Sequence, residues 1–256
     1  MIKATDSRLA ARLYPSPNFE QRAGGRQPDL LLLHYTGMAS AAKAIDWLAR
    51  PESKVSCHYV VAENGDITQM VAESARAWHA GKSYWAGETD INSCSIGIEI
   101  QNPGHACGYD AFPEAQIDAV LRLSADIVAR RFIPPARVLA HSDVAPARKI
   151  DPGEKFPWRR LAEAGIGVWV EPDEVDPSDS GFVVGARHER IADAQHLLRR
   201  YGYGVDVTGV LDTETAFVIR AFQLHWRTAR VDSRLDASTL ATIRRLVESA
   251  TPPLTS

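Results

Sequence analysis

The stretch Asp29-Leu30-Leu31-Leu32-Leu33-His34-Tyr35-Thr36-Gly37 decides how the chain folds, because four leucines run together and give way at once to polar residues. A half-exposed strand alternates apolar and polar positions, so an unbroken apolar run of this length reads as a strand buried on both faces. Strands of that kind belong to α/β proteins, which place their sites at the carboxyl ends of the strands. His34 is therefore a candidate site residue, although taken alone it reads more readily as a side chain that caps the chain's exit. Val138-Leu139-Ala140 repeats the design on a smaller scale and ends in His141.

His141-Ser142-Asp143 is followed closely by Lys149-Ile150-Asp151-Pro152-Gly153. An imidazole, an ammonium and a carboxylate kept together on a loop between a buried strand and a turn suit chemistry better than packing. His141 and Asp151 read as two ligands of a catalytic metal, with His34 as the third. Two histidines and one carboxylate make an open site whose fourth position is left for water, the arrangement of catalytic zinc. The absence of a thiolate leaves room for other divalent ions, and zinc is the favoured one.

Zinc brings the pKa of its water to about 7, and such a site still needs a base and a group to stabilise an oxyanion. Glu99 and Lys149 are the candidates. In Ser95-Ile96-Gly97-Ile98-Glu99-Ile100-Gln101 the three isoleucines share one face and Gly97 and Glu99 the other. A glutamate facing water on a half-exposed sheet explains this strand equally well when it is read alone. Gly97 tilts the choice, because a missing side chain beside a carboxylate leaves space for a ligand. Lys149 lies two residues before Asp151, so in an extended segment both side chains leave on the same side.

Bulk properties narrow the function classes. At 256 residues the chain can bury a core without staples, and a net charge of −3 gives no field for a polyanion, so neither nucleic acid nor a membrane surface is the expected partner. No apolar stretch is long enough to span a bilayer. Three cysteines, Cys57, Cys94 and Cys107, show no paired spacing and fit a reducing compartment. The first 25 residues carry no apolar core of signal-peptide length, which makes the cytoplasm the expected location; the periplasm or cell envelope is the alternative if a leader is missing.

The remaining elements follow from local signals. Ser40 caps a helix that Pro51 ends near residue 50, and Asn64-Gly65 joins two β-rich runs, 55–61 and 67–71, as a hairpin. A helix opening near Pro113 runs until Ile133-Pro134-Pro135 and covers the sheet, and a short helix spans about 157–164. Residues 1–167 thus read as a catalytic domain. Residues 168–186, acidic and proline-containing, read as a linker. Residues 187–250 read as a separate unit with helices over 191–201, 213–225 and 237–247, and 251–256 as a tail.

The set His34-Tyr35-Thr36, Ser56-Cys57-His58-Tyr59, Ala77-Trp78-His79-Ala80-Gly81, Asn92 with Ser95 to Glu99, and His141 through Gly153 resembles the type-2, AmpD-like family of zinc-dependent N-acetylmuramoyl-L-alanine amidases. The resemblance covers residues 25–165 in order. It implies an α/β fold with a central mixed β-sheet flanked by helices. It also implies cleavage of the amide joining N-acetylmuramic acid, or its 1,6-anhydro form, to the L-alanine of peptidoglycan and muropeptides. His34, His141 and Asp151 would hold Zn2+, Glu99 would take the proton of the attacking water, and Lys149 would help stabilise the oxyanion. Trp78, His79, Trp85 and Asn92 become candidate substrate contacts on the same basis.

Residues 187–250 resemble a three-helix peptidoglycan-binding domain through Gln195, Leu198, Tyr201, Gly202, Tyr203, Gly209, Asp212, Phe222 and Gln223. The stretch Val231 to Asp236 departs from that pattern by lacking its usual glycine. A chain ending near Gly167 is accordingly expected to act on soluble fragments and lose its grip on intact wall. His58 reads as a hairpin residue, neither it nor His79 as a metal ligand, and His188, His196 and His225 as surface groups. A monomer is expected. The competing readings are a protein that binds wall fragments without cutting them and a zinc peptidase or deacylase acting on another amide.

Overall fold

The computed structural model describes residues 2–250; the tail expected at 251–256 lies outside them. In chain order the strands are β1 (Arg12–Leu13), β2 (Phe19–Gln21), β3 (Leu30–Tyr35), β4 (Tyr59–Val61), β5 (Ile67–Gln69), β6 (Ala75–Ala77), β7 (Ser95–Ile100) and β8 (Val138–Ala140). The helices are α1 (Ala41–Leu48), α2 (Ile91–Cys94), α3 (Glu114–Arg131), α4 (His141–Val144), α5 (Trp158–Glu163), α6 (Glu189–Tyr201), α7 (Thr213–Trp226) and α8 (Ala237–Ser249). Six strands form one mixed sheet in the order β1-β5-β4-β7-β3-β8, and β2 pairs with β6 apart from it.

The leucine run is β3, second from one edge and parallel to both β7 and β8, and Leu30 to Leu33 are all fully buried. Its two faces are covered by different parts of the chain. Leu31 and Leu33 share a core with the β7 isoleucines and with Ile117, Val120, Leu123 and Ile127 of α3. Leu30, Leu32 and Leu139 belong to a second core that continues through Trp85, Val144 and Ala145 into Ile191, Leu198, Phe222 and Trp226 of α6 and α7. The continuous apolar pattern required two covers, and the C-terminal helices contribute to the second.

Local signals account for the smaller elements. Ser40 accepts the Lys43 N–H and caps α1, while Asp212 and Asp236 cap α7 and α8 in the same way. Gly65 takes the positive φ that the β4–β5 turn demands, and Phe132 ends α3 in the left-handed region ahead of the two prolines. No helix among the described residues is long and apolar enough to cross a membrane.

Residues 168–186 lack long elements, in keeping with their composition, but they do not hang free. Val170 is buried, Phe182 bridges Leu235, and Asp173 is bonded to Thr242, Ser238 and Arg245. A reading based on composition counted few apolar residues there, yet backbone polar groups and acidic side chains bind the segment to α8.

Candidate active site

The carboxyl ends of β3 and β8 bring His34 and His141 side by side, as the abrupt ends of their apolar runs suggested. His34 Nδ1 lies 2.8 Å from His141 Nδ1 and 3.3 Å from Asp151 Oδ2, and His141 Nδ1 lies 3.0 Å from Asp151 Oδ2. All three residues are buried, and they are a group among the described residues whose ligand atoms could hold a metal ion. A tetrahedral ion about 2.0–2.1 Å from each ligand atom wants those atoms roughly 3.3 Å apart, close to this triangle.

Hydrogen bonds on the far side of each ring point the lone pairs inward. His141 Nε2 donates to the Ala80 carbonyl at 3.1 Å, which leaves Nδ1 unprotonated. His34 Nε2 donates to His79 Nδ1 at 3.0 Å, and His79 Nε2 in turn donates to Ser95 Oγ at 3.2 Å. Burial, then the neighbouring His141, pushes the His34 pKa down to about 4, so its ring is neutral, as a ligand must be. Burial works against ionisation of Asp151, but the adjacent His141 and His34 hold its carboxyl well below the usual range. Two imidazoles and a carboxylate aimed at one point fit a divalent cation.

Glu99 pairs with His34 in the parallel register of β3 and β7, so both leave the same face. Its Oε2 is buried and has no hydrogen-bond partner among the described residues. Burial, and secondarily the charge on Asp151, raises its pKa well above the ordinary carboxylate value, with Lys149 acting in the opposite sense. Lys149 is half-buried in the turn after α4. Glu99, Lys149, His141 and Asp151 border one cleft of about 420 Å³, and His34 touches the last two without lining it. Trp78 and the half-exposed Trp47, with Met38 and Val55, form its apolar wall.

Several expectations need correction. Gly97 does not make room for a ligand: a side chain there would meet the His79 ring at 2.5 Å, so the space already belongs to His79. His79 borders the cleft, but both its ring nitrogens are engaged in supporting His34. Asn92 does not line the cleft; its Oδ1 accepts the His79 and Ala80 N–H groups and pins that segment to α2. Trp85 is only 2% exposed and packs edge-on against Tyr201 and Tyr203, away from the cleft. His58 is as expected: a hairpin residue, off the metal group, whose ring accepts from Gly97 N–H and donates to the Ala75 carbonyl.

His225 is not a surface group either. It is stacked between Trp158 and Trp226, with its Nδ1 2.7 Å from Asp143 Oδ2. Its spacing from Val218 and Phe222 places it on the buried face of α7, a signal that was readable in the sequence. Nothing local in the sequence marks Asp143, two residues beyond His141, because its partners Tyr203 and His225 are distant in the chain.

Comparison with known proteins agrees with this geometry. The N-acetylmuramoyl-L-alanine amidase family matches residues 24–154, and a peptidoglycan binding domain family matches 187–243. The chain is 40% identical over 240 residues to N-acetylmuramoyl-L-alanine amidase AmiD of Escherichia coli, covering 86% of this chain and 82% of that protein. It is 30% identical over 168 residues to the 1,6-anhydro-N-acetylmuramyl-L-alanine amidase AmpD of Haemophilus influenzae, covering 58% of this chain and 89% of that one. E. coli AmiD in complex with anhydro-N-acetylmuramic acid-L-Ala-D-gamma-Glu-L-Lys superposes with a TM-score of 0.74 at 37% identity, covering 90% of this chain and 93% of that chain. AmpDh3 of Pseudomonas aeruginosa gives the same TM-score at 31% identity and covers 98% of both chains. With a family match spanning more than half its length and relatives of this similarity along most of it, the chain belongs to the N-acetylmuramoyl-L-alanine amidase family.

Proposed function

We propose that this protein is a zinc-dependent amidase that cleaves the bond between N-acetylmuramic acid, or its 1,6-anhydro form, and the L-alanine of peptidoglycan or muropeptides. The observation that carries the reading is the convergence of His34, His141 and Asp151 at a cleft that also holds a buried Glu99 oxygen with no partner among the described residues. His34 Nδ1, His141 Nδ1 and Asp151 Oδ2 would hold the ion. When bound, zinc would supply Lewis acidity, which lowers the pKa of water towards about 7 and polarises a carbonyl.

The chain's own residues do the rest. Glu99 Oε2 takes the proton of the attacking water, and burial makes it a stronger base than an exposed carboxylate. The same oxygen then returns the proton to the departing amide nitrogen. Lys149 places an ammonium beside the cleft where negative charge develops on the carbonyl oxygen. Trp78 and Trp47 offer apolar surface to the sugar and stem peptide. The match of residues 187–243 to a peptidoglycan binding domain family supports polymeric wall as a further ligand of the C-terminal helices.

Incubation with defined muropeptides is expected to release free stem peptide, in both anhydro and non-anhydro series, and to stop after chelation. Intact substrate after zinc reconstitution leaves a recognition protein; release of other amide products points to a different acylase.

The support behind His34 gives a separate prediction. His79→Phe keeps a ring in the space above Gly97 but removes the acceptor for His34 Nε2, and is expected to weaken zinc binding roughly 10–100-fold. Competition with a chromogenic chelator measures it. An unchanged dissociation constant would show that the ring only fills space.

A further inference from the structure

The helix that carries His141 is a single turn, too short to hold itself. Its Asp143 is buried and is bonded on three sides. Oδ2 accepts the Ala140 N–H at 2.8 Å, closing the start of α4. The other two donors come from the C-terminal unit: Tyr203, two residues past the end of α6, donates its Oη to Oδ1 at 2.6 Å, and His225 of α7 donates Nδ1 to Oδ2 at 2.7 Å. The loop beyond is caught as well, by Arg220 donating to the Pro146 carbonyl at 3.0 Å. Asp151 shares the arrangement, because Ser142 N–H donates to its carbonyl at 3.1 Å. Both α4-side ligands therefore lean on one buried carboxylate whose remaining hydrogen bonds come from the C-terminal unit.

We propose that Asp143, Tyr203 and His225 are positioning residues for the metal centre, and that the C-terminal helical unit is part of the scaffold that orients His141 and Asp151. The proposal rests on reading His34, His141 and Asp151 as metal ligands. A unit that served only to grip the wall would have no reason to place two buried donors on the segment that bears a ligand.

Three full-length variants test it. Tyr203→Phe removes one hydroxyl and keeps the ring. His225→Phe keeps the stack between Trp158 and Trp226 but loses the donor. His225→Asn keeps a donor near the Nδ1 position and loses the stack. The expected result is a roughly tenfold rise in the zinc dissociation constant for the two phenylalanine variants, with His225→Asn restored to within a few-fold of the parent. The visible spectrum of the cobalt-substituted protein should change in the same two and not in the third. Should His225→Phe fail to fold, Tyr203→Phe carries the same reading on its own. Parent-like zinc affinity in all variants, or lower melting temperatures without a change in affinity, overturns the coupling alone. A parent that binds no zinc removes the site reading and the coupling with it.

Discussion

Glu99→Gln is expected to bind zinc as the parent does and to lose about 10²–10⁴ in kcat, the range that a positioned general base supplies. The amide is isosteric with the carboxylate and leaves β7, its register with β3 and the His34 side chain undisturbed. It removes only the capacity to accept a proton at a buried oxygen that no other described group engages. Steady-state release of stem peptide, with zinc content measured on the same samples, reads both halves of the expectation. Parent-like turnover would take the base assignment away from Glu99. Loss of zinc together with turnover would make Glu99 part of the metal's support instead.

Truncation near Gly167 is expected to abolish a stable fold, contrary to what a tethered module would allow. Trp85 and Trp158 would lose the rings packed on them, and Val144 and Ala145 the core they share with α7. At about 1.5–3 kcal/mol for each large buried apolar side chain, the loss reaches on the order of 5 kcal/mol, comparable to the whole stability of a typical domain. Asp143 would also lose its Tyr203 and His225 donors, and with them the bonds that hold α4 from that side. Thermal melts of the purified fragment and the full chain decide the matter. A fragment that melts cooperatively at the parent temperature would restore the independent module.

What was legible in the sequence lay in local pattern. Four leucines followed by His34, the small repeat of that design at His141, and the isoleucine alternation around Glu99 each encode strand, face and end within a few residues. The three-dimensional arrangement of His34, His141 and Asp151 followed from reading strand ends as one neighbourhood. The misreadings involve residues whose partners are distant in the chain. Trp85 answers to Tyr203, His225 to Asp143, and Gly97 to His79, across 118, 82 and 18 positions respectively, and no spacing rule announces such pairs. The leucine run did say that both sheet faces are covered; it did not say that helices past residue 187 share in covering the second.

Zinc K-edge absorption on the reconstituted protein decides whether His34, His141 and Asp151 share one ion. One zinc per chain is expected, with a shell of nitrogen and oxygen alone at about 2.0–2.1 Å, scattering from two imidazoles, and loss of one imidazole in His34→Ala. A sulfur shell at about 2.3 Å, or an imidazole count unchanged in His34→Ala, would contradict it.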